Sequence, residues 1–377
     1  MLSRCLQLVS IAFLGLGLLT VLPAPSWVDW RLTILVGSYG HWLGIGAIVI
    51  VIWAWKIRML SRRGAMLAVA CGIGGTVLLT KPSIEAGQLG RALPTVLADR
   101  FGAAHEPPRA AFSLRGFLQR SAPRVPVASF EYAPDLGLSF YRADRREPAP
   151  CVIVVHGGGW DNGYRSQLPD LNYLLAARGY AVAAISYRLA PAARWPAQRE
   201  DLVAALSFLK TRAAELGIDP QRFVLLGRSA GGQIAEATAC TINDPAIRGV
   251  IALYAPADLE FAYSVGAEDD ILASPRLIRQ LLGGSPAEQP EAMRSASAYF
   301  QVSSATPPTL LLHGQLDTLV WHKQSERLTT KLEAAGVKHA FVSLPWASHA
   351  FDYSLRSPAG QITTYAIEWF LASVTEP

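Results

Sequence analysis

Gly227-Arg228-Ser229-Ala230-Gly231 follows directly on the apolar run Phe223–Leu226. A strand that breaks into Gly-x-Ser-x-Gly and then small residues is built to turn sharply into a helix and lift one serine hydroxyl into solvent. The glycines are required because a larger side chain would clash where the backbone folds back. Upstream, the apolar run 151–155 ends in His156-Gly157-Gly158-Gly159-Trp160. Three glycines after a buried strand leave backbone N–H groups uncovered, able to hold the negative oxygen of a tetrahedral carbonyl adduct. One such donor can lower a barrier by about 3 kcal/mol. Downstream, the run 308–312 leads into His313-Gly314-Gln315-Leu316-Asp317, and the run 340–344 leads to Ala347-Ser348-His349-Ala350-Phe351-Asp352. The chemistry in prospect is acyl transfer. Ser229 is the candidate nucleophile, His349 the base that takes its proton, and Asp317 the acid that orients the imidazole.

Rivals exist for two of these roles. His313 and His322 flank Asp317 among the seven histidines, and Asp352 lies three residues beyond His349. The base must reach the serine from a separate loop while the acid holds its other ring nitrogen, which favours His349 with Asp317. No His-Glu-x-x-His, Cys-x-x-Cys or spaced carboxylate cluster points to a metal, and no cofactor is expected.

These residues must stand at the C-terminal ends of strands, and the chain supplies the strands. Apolar runs at 151–155, 181–185, 223–226, 249–254, 308–312 and 340–344 alternate with helical patterns. Leu202, Leu206, Leu209, Ala213 and Leu216 recur at helical spacing up to Gly217, and Ile362, Tyr365, Ala366, Trp369 and Ala372 mark a C-terminal helix. Strands alternating with helices predict an α/β fold with a doubly wound, mainly parallel sheet, which binds ligands at its strand ends. Residues 258–305 interrupt the alternation and are expected to form a lid or cap. Trp160, Tyr164 and Tyr187 are candidate substrate-pocket residues, and Asp201 is expected to hold a loop through hydrogen bonds.

The order Ser229, Asp317, His349 and the motifs His156–Trp160, Ser186-Tyr187-Arg188-Leu189-Ala190-Pro191 and Gly227–Gly232 resemble the α/β-hydrolase superfamily. Within it the chain is most similar to the hormone-sensitive-lipase-like esterases and the related bacterial esterase and kynurenine formamidase group. The resemblance covers roughly residues 125–375. It implies an oxyanion hole made by the N–H groups of Gly157, Gly158 and Ala230, and carboxylic ester hydrolysis through an acyl-enzyme. Two positions depart from the pattern: Arg228 stands where many relatives have an acid, and Ala350 where many have glycine.

The first eighty residues are a different material. Segments 6–22, 32–55 and 64–80 are uncharged and almost wholly apolar, which predicts three transmembrane helices in a membrane domain over 1–82. The first segment could instead be a cleaved signal peptide with Arg4 as its basic end. Lys56, Arg58, Arg62 and Arg63 crowd the loop between the second and third segments, which the positive-inside rule assigns to the cytoplasm. The expected location is therefore the inner or plasma membrane, with an extracytoplasmic catalytic domain over 125–377. Residues 83–124 read as a juxtamembrane basic linker, either amphipathic on anionic headgroups or simply solvated. The net charge of +5 comes largely from here and from the short loops, without any nucleic-acid-binding motif. None of the four cysteines has a disulfide spacing.

The function expected is a membrane-anchored serine carboxylesterase or lipase-like hydrolase acting on a small-molecule or lipid ester, with membrane lipid as the partner of the N-terminal helices. An acyltransferase, or an amidase or formamidase, would use the same acyl-enzyme machinery. A hydrolase-fold scaffold without activity would not need the full residue set.

Overall fold

The computed structural model describes residues 2–56, 62–102, 109–120, 122–145 and 148–376. The chain opens with three helices, α1 (Leu2–Leu18), α2 (Trp27–Lys56) and α3 (Arg62–Phe101). Two carry stretches long and apolar enough to cross a membrane, Trp27–Trp53 and Met66–Phe101; the apolar part of α1, Arg4–Leu18, is shorter. Glycines let these helices approach closely, as small residues do at helix crossings in membranes. A Cβ on Gly75 would lie 2.9 Å from the backbone of Leu14, and one on Gly40 would lie 3.1 Å from the Leu79 carbonyl. The pairings Leu14–Gly75 and Gly17–Leu78 run α1 parallel to α3. Gly40–Leu79 and Val51–Gly72 run α2 antiparallel to it. Arg58 of the basic loop lies outside the described residues.

The segment read as a linker is corrected over its first half. Helix α3 continues to Phe101, and its outer part buries Ala86, Leu93 and Leu97 in the core of the following domain. Several arginines of this stretch face protein rather than lipid. Arg109 pairs with Glu368 at 3.2 Å, and Arg100 with Glu333 at 3.2 Å. Arg124 lies 4.2 Å over the Tyr173 ring.

The remaining chain forms an eight-stranded sheet in the order β1-β2-β4-β3-β5-β6-β7-β8. Its strands are β1 (Val127–Ala133), β2 (Leu136–Tyr141), β3 (Ala149–Val155), β4 (Ala181–Ile185), β5 (Ile218–Arg228), β6 (Ile247–Leu253), β7 (Thr309–Gly314) and β8 (His339–Leu344). β1 and β2 are antiparallel and edge the sheet beside β4; the pairs from β4 through β8 are parallel. The parallel strands are buried on both faces, which is why they read as unbroken apolar runs.

Alternate residues of β3 divide the core. Cys151, Ile153 and Val155 join α5 (Ala197–Thr211), α6 (Ala213–Leu216) and α7 (Ala230–Thr241) on one face. Val152 and Val154 join α4 (Asp170–Ala177) and the C-terminal helix on the other. Between β6 and β7 lie α8 (Leu259–Val265), α9 (Ser274–Leu282), α10 (Pro290–Ala296) and α11 (Ala298–Gln301), which occupy the stretch expected to be a cap. Helix α12 (Lys323–Ala334) precedes β8, and α13 (Pro358–Thr375) closes the chain. α13 is buried almost all round because α3 covers the side turned away from the sheet. Phe101 of α3 meets Phe370 edge to face with ring centroids 5.0 Å apart. The register pairs Val155 with Gly227, Arg228 with Leu253 and Gly314 with Leu344. That brings the ends of β3, β5, β6, β7 and β8 to one edge of the sheet.

Candidate active site

Ser229 sits on the turn between β5 and α7 with φ 52° and ψ −122°, a region that ordinary side chains avoid. Its own N–H donates to the Leu253 carbonyl at 2.9 Å, tying the turn to β6. The flanking glycines are steric necessities. A Cβ on Gly227 would collide with the Gly231 carbonyl, and one on Gly231 with the carbonyls of Val155 and His156. Ala230 opens α7, so its N–H is one of the first-turn donors without an intrahelical acceptor. The loop after β3 closes on the turn from the other side: a Cβ on Gly157 would be 3.3 Å from that of Ser229. Gly158 adopts φ +126° and has the Asn162 carbonyl packed against its Cα. Gly157, Gly158 and Ala230 thus converge around Ser229.

His349 comes from the loop after β8. Its Nδ1 is 2.7 Å from Asp317 Oδ2, and both residues are buried. Asp317 Oδ1 accepts the N–H groups of Leu319 and Val320, each at 2.9 Å. Burial alone would push the Asp317 carboxyl up, but His349 and His313 beside it outweigh that and hold it well below the usual carboxylate range. The rivals have other partners. His313 bonds Ser325 Oγ at 2.7 Å and the Val320 carbonyl at 2.9 Å, and its Nε2 lies 3.3 Å from Asp317. His322 bonds Ser343 Oγ at 2.9 Å. Asp352 Oδ2 accepts Arg228 Nε at 2.6 Å, and its Oδ1 accepts the Tyr254 hydroxyl at 2.6 Å.

This Arg228–Asp352–Tyr254 group is what sequence reasoning missed. Burial works against charge on Arg228, yet Asp352 and Tyr254 outweigh it and raise its pKa further. The Tyr254 ring lies 4.4 Å from that of His349, so the group braces the histidine loop against the nucleophile turn. The available signals were the departure at Arg228, an arginine before the serine, and the rival acid Asp352 three residues past His349.

Of the three aromatic pocket candidates, only Trp160 borders the cavity beside Ser229. Its Nε1 donates to Gln233 Oε1 at 2.8 Å, which fixes the end of the glycine loop. Tyr164 is exposed at the surface. Tyr187 is buried beneath the loop, stacked on His156 at 4.3 Å with its hydroxyl donating to the His156 carbonyl. Neither lines the site. Asp201 holds the backbone N–H of Arg188 and its guanidinium, both at 2.8 Å.

Two cavities meet at Ser229. One, of about 220 Å³, is walled by apolar side chains including Trp160, Val265, Leu277, Ile278 and Trp321. The other, of about 280 Å³, is bordered by Gly157, Gly158, His349 and Arg228 and by Trp27 and Trp30 of α2. Among the described residues no group of three or more His, Cys, Asp and Glu could hold a metal ion.

A doubly wound parallel sheet with a strained serine turn at its central strand defines an α/β-hydrolase fold. Solved structures share it: a bacterial heroin esterase (TM-score 0.58, 24% identity, 78% of this chain and 91% of that one) and a truncated carbohydrate esterase from gut microbiota (TM-score 0.56, 21% identity, 66% and 97%). The BD-FAE family profile matches residues 138–332, just over half of the chain, and the protein belongs to that family. Relatives include Esterase LipQ of Mycobacterium tuberculosis, 30% identical over 54% of this chain and 51% of the relative. An ethyl acetate hydrolase of Pseudomonas putida is 30% identical over 57% of this chain and 71% of the relative. The chain spans about half the length of the first curated relatives it matches.

Proposed function

We propose that this protein is a membrane-anchored serine carboxylesterase that works through an acyl-enzyme. One observation carries the reading: Ser229, on its strained turn, shares a cavity with His349, whose Nδ1 lies 2.7 Å from a buried Asp317. The esterase names of the relatives agree with it. In this mechanism Ser229 Oγ attacks the ester carbonyl carbon while His349 Nε2 takes the hydroxyl proton. The oxygen becomes an oxyanion held by the N–H groups of Gly157, Gly158 and Ala230. Asp317 stays ionised, fixes the imidazole tautomer and stabilises the cation. The adduct collapses as His349 returns the proton to the departing alkoxide. Water, deprotonated by the same histidine, then releases the acid and restores Ser229.

Membrane anchoring is supported by the two long apolar helices, whose most apolar windows are only 28% buried within the protein. A core helix of a soluble protein would bury more. The parallel run of α1 with α3, antiparallel to α2, fits an N-terminus and a hydrolase domain on opposite faces of a bilayer, and the basic loop between α2 and α3 is what would make the N-terminal face cytoplasmic.

The test is hydrolysis of p-nitrophenyl acetate, butyrate and decanoate by the detergent-solubilised full chain, beside Ser229→Ala. Activity and fluorophosphonate labelling are both expected to vanish in the variant. No ester turnover together with no labelling of Ser229 would overturn the reading. Labelling without ester turnover would move it to acyl transfer or amide hydrolysis.

A further inference from the structure

Four guanidinium groups converge where the membrane helices meet the hydrolase domain, and their surroundings call for an anion. Arg109 and Arg120 precede β1, Arg178 follows α4 and Arg356 precedes α13. All four border one cavity of about 260 Å³, beside Tyr39 of α2 and Tyr353. The carboxylates at hand are too few to neutralise them. Glu368 is shared, lying 3.2 Å from both Arg109 and Arg178. Asp170, which also borders the cavity, faces Arg124 outside it at 3.6 Å. Among the described residues Arg120 and Arg356 have no carboxylate partner, and both are exposed. Like charges gathered from four segments repel one another unless an anion joins them. A guanidinium presents paired donors that match two phosphate oxygens. The cavity exceeds the ~150 Å³ void that accepts a benzene ring, so a phosphate with its glycerol fits.

The cavity lies at the level where the apolar helix bundle gives way to charge. Thr20, just past α1, bonds the Leu78 carbonyl at 3.0 Å, and Gly40 of α2 packs on the Leu79 carbonyl, so the three helices come level there. On one side of that level α3 is uncharged from Gly64 to Thr80, and α2 from Trp42 to Trp55. On the other, α3 carries Lys81 and Glu85, paired at 2.7 Å, and α2 carries Asp29 and Arg31. Tyr39 therefore puts the cavity wall at the boundary. His41, stacked on Phe117 with ring centroids 3.6 Å apart, fixes the hydrolase domain to the same level. The short turn that carries Phe117 leaves Leu114 and Leu118 68% and 73% exposed, between Arg109 and Arg120 in the sequence. Exposed apolar side chains beside arginines and tyrosines suit a headgroup layer, where phosphates and acyl chains are both within reach.

Resting on the membrane reading above and not on the serine chemistry, we infer that this cavity binds the phosphate of an anionic phospholipid in the leaflet facing the hydrolase domain. The arginines hold the headgroup, and Leu114 and Leu118 meet its acyl chains. The test measures, by fluorescence anisotropy, binding of labelled phosphatidylglycerol and labelled phosphatidylcholine to the full chain in neutral detergent. Phosphatidylglycerol is expected to bind about ten-fold tighter or more. Arg120→Gln/Arg356→Gln should bring that preference down to about three-fold or less. Arg120→Lys/Arg356→Lys, which keeps the charge and loses the paired donors, should fall between the two. Arg115→Gln, which removes an exposed arginine of the same turn that does not border the cavity, should change the preference by less than about two-fold. Thermal melts report that each variant is folded. No preference in the natural chain, a preference untouched by the glutamine pair, or an equal loss in Arg115→Gln overturns the inference. Inorganic phosphate at the lipid's own concentration is expected to displace none of it; displacement would make this a site for free phosphate and overturn the lipid assignment. If alkaline carbonate washes the full chain off membranes, the membrane reading falls and takes the inference with it. Retention without a lipid preference sinks the inference alone.

Discussion

Asp352→Ala should unfold this protein far more readily than a deletion of three heavy atoms suggests. The Arg228 and Asp352 side chains are 3% and 0% exposed and meet at 2.6 Å. Removing the carboxylate strands a guanidinium whose Nη2 already has no partner, and it deprives the Tyr254 hydroxyl of its acceptor. A buried charge left without its partner costs about 3–5 kcal/mol. That is a large share of the roughly 5–15 kcal/mol by which a domain is stable. At about 2–4 °C per kcal/mol for a domain of this size, melting should fall by roughly 6–20 °C. Replacing both groups by apolar ones, Arg228→Met/Asp352→Leu, removes the desolvation problem together with the pairing, and should recover most or all of the loss. Thermal melts of the three detergent-solubilised proteins, at one pH and salt, form the assay. The reasoning is refuted if Asp352→Ala melts within about 2 °C of the natural chain, or if the double variant melts as low as the single one.

Other expectations follow from the same geometry. Asp317→Asn should lower kcat for p-nitrophenyl butyrate by about 10⁴, because the amide cannot fix the imidazole tautomer, and pre-steady-state acylation would check this. Glu236, buried in α7 and pushed up to about 8 by desolvation, is neutral in the fold but ionised in the unfolded chain at neutral pH. Stability is therefore lost as pH rises from its ordinary value of 4.5 toward about 8, and Glu236→Gln should recover about 3 kcal/mol at pH 7 and almost nothing near pH 4. Denaturant midpoints at the two pH values test the sign. Leu277→Trp, which fills the apolar cavity, should cut hydrolysis of decanoate relative to acetate by about ten-fold in paired kcat/KM measurements.

The features legible in the sequence are those that local physics decides within a few residues. The glycines at 227 and 231 were readable because the turn around Ser229 has no room for a Cβ. The parallel strands were readable because burial on both faces demands unbroken apolar runs. Their boundaries shifted by a few residues, as in β5, which starts at Ile218 and not at Phe223. The antiparallel edge strands β1 and β2 were not distinguished, since β1 is largely exposed and shows no clean apolar pattern. The interleaved arginines and apolar residues after 83 read equally well as linker or surface helix. Only packing against α13 decides which side of that helix is inside.

Tertiary structure alone decided the rest. Arg228 and Asp352 lie 124 residues apart, and no local pattern couples them. Tyr187 follows a motif as a pocket residue would, but its hydroxyl finds the His156 carbonyl beneath the loop. Trp27 falls by sequence between the first two apolar segments, yet it borders the same cavity as Ser229. The sequence by itself determined which groups could do chemistry and which strands would carry them, because steric and hydrophobic demands act residue by residue. Which groups pair in the dry interior, and which surfaces enclose the ester, depends on burying charge and apolar area between segments far apart in the chain. Only the folded arrangement settles that.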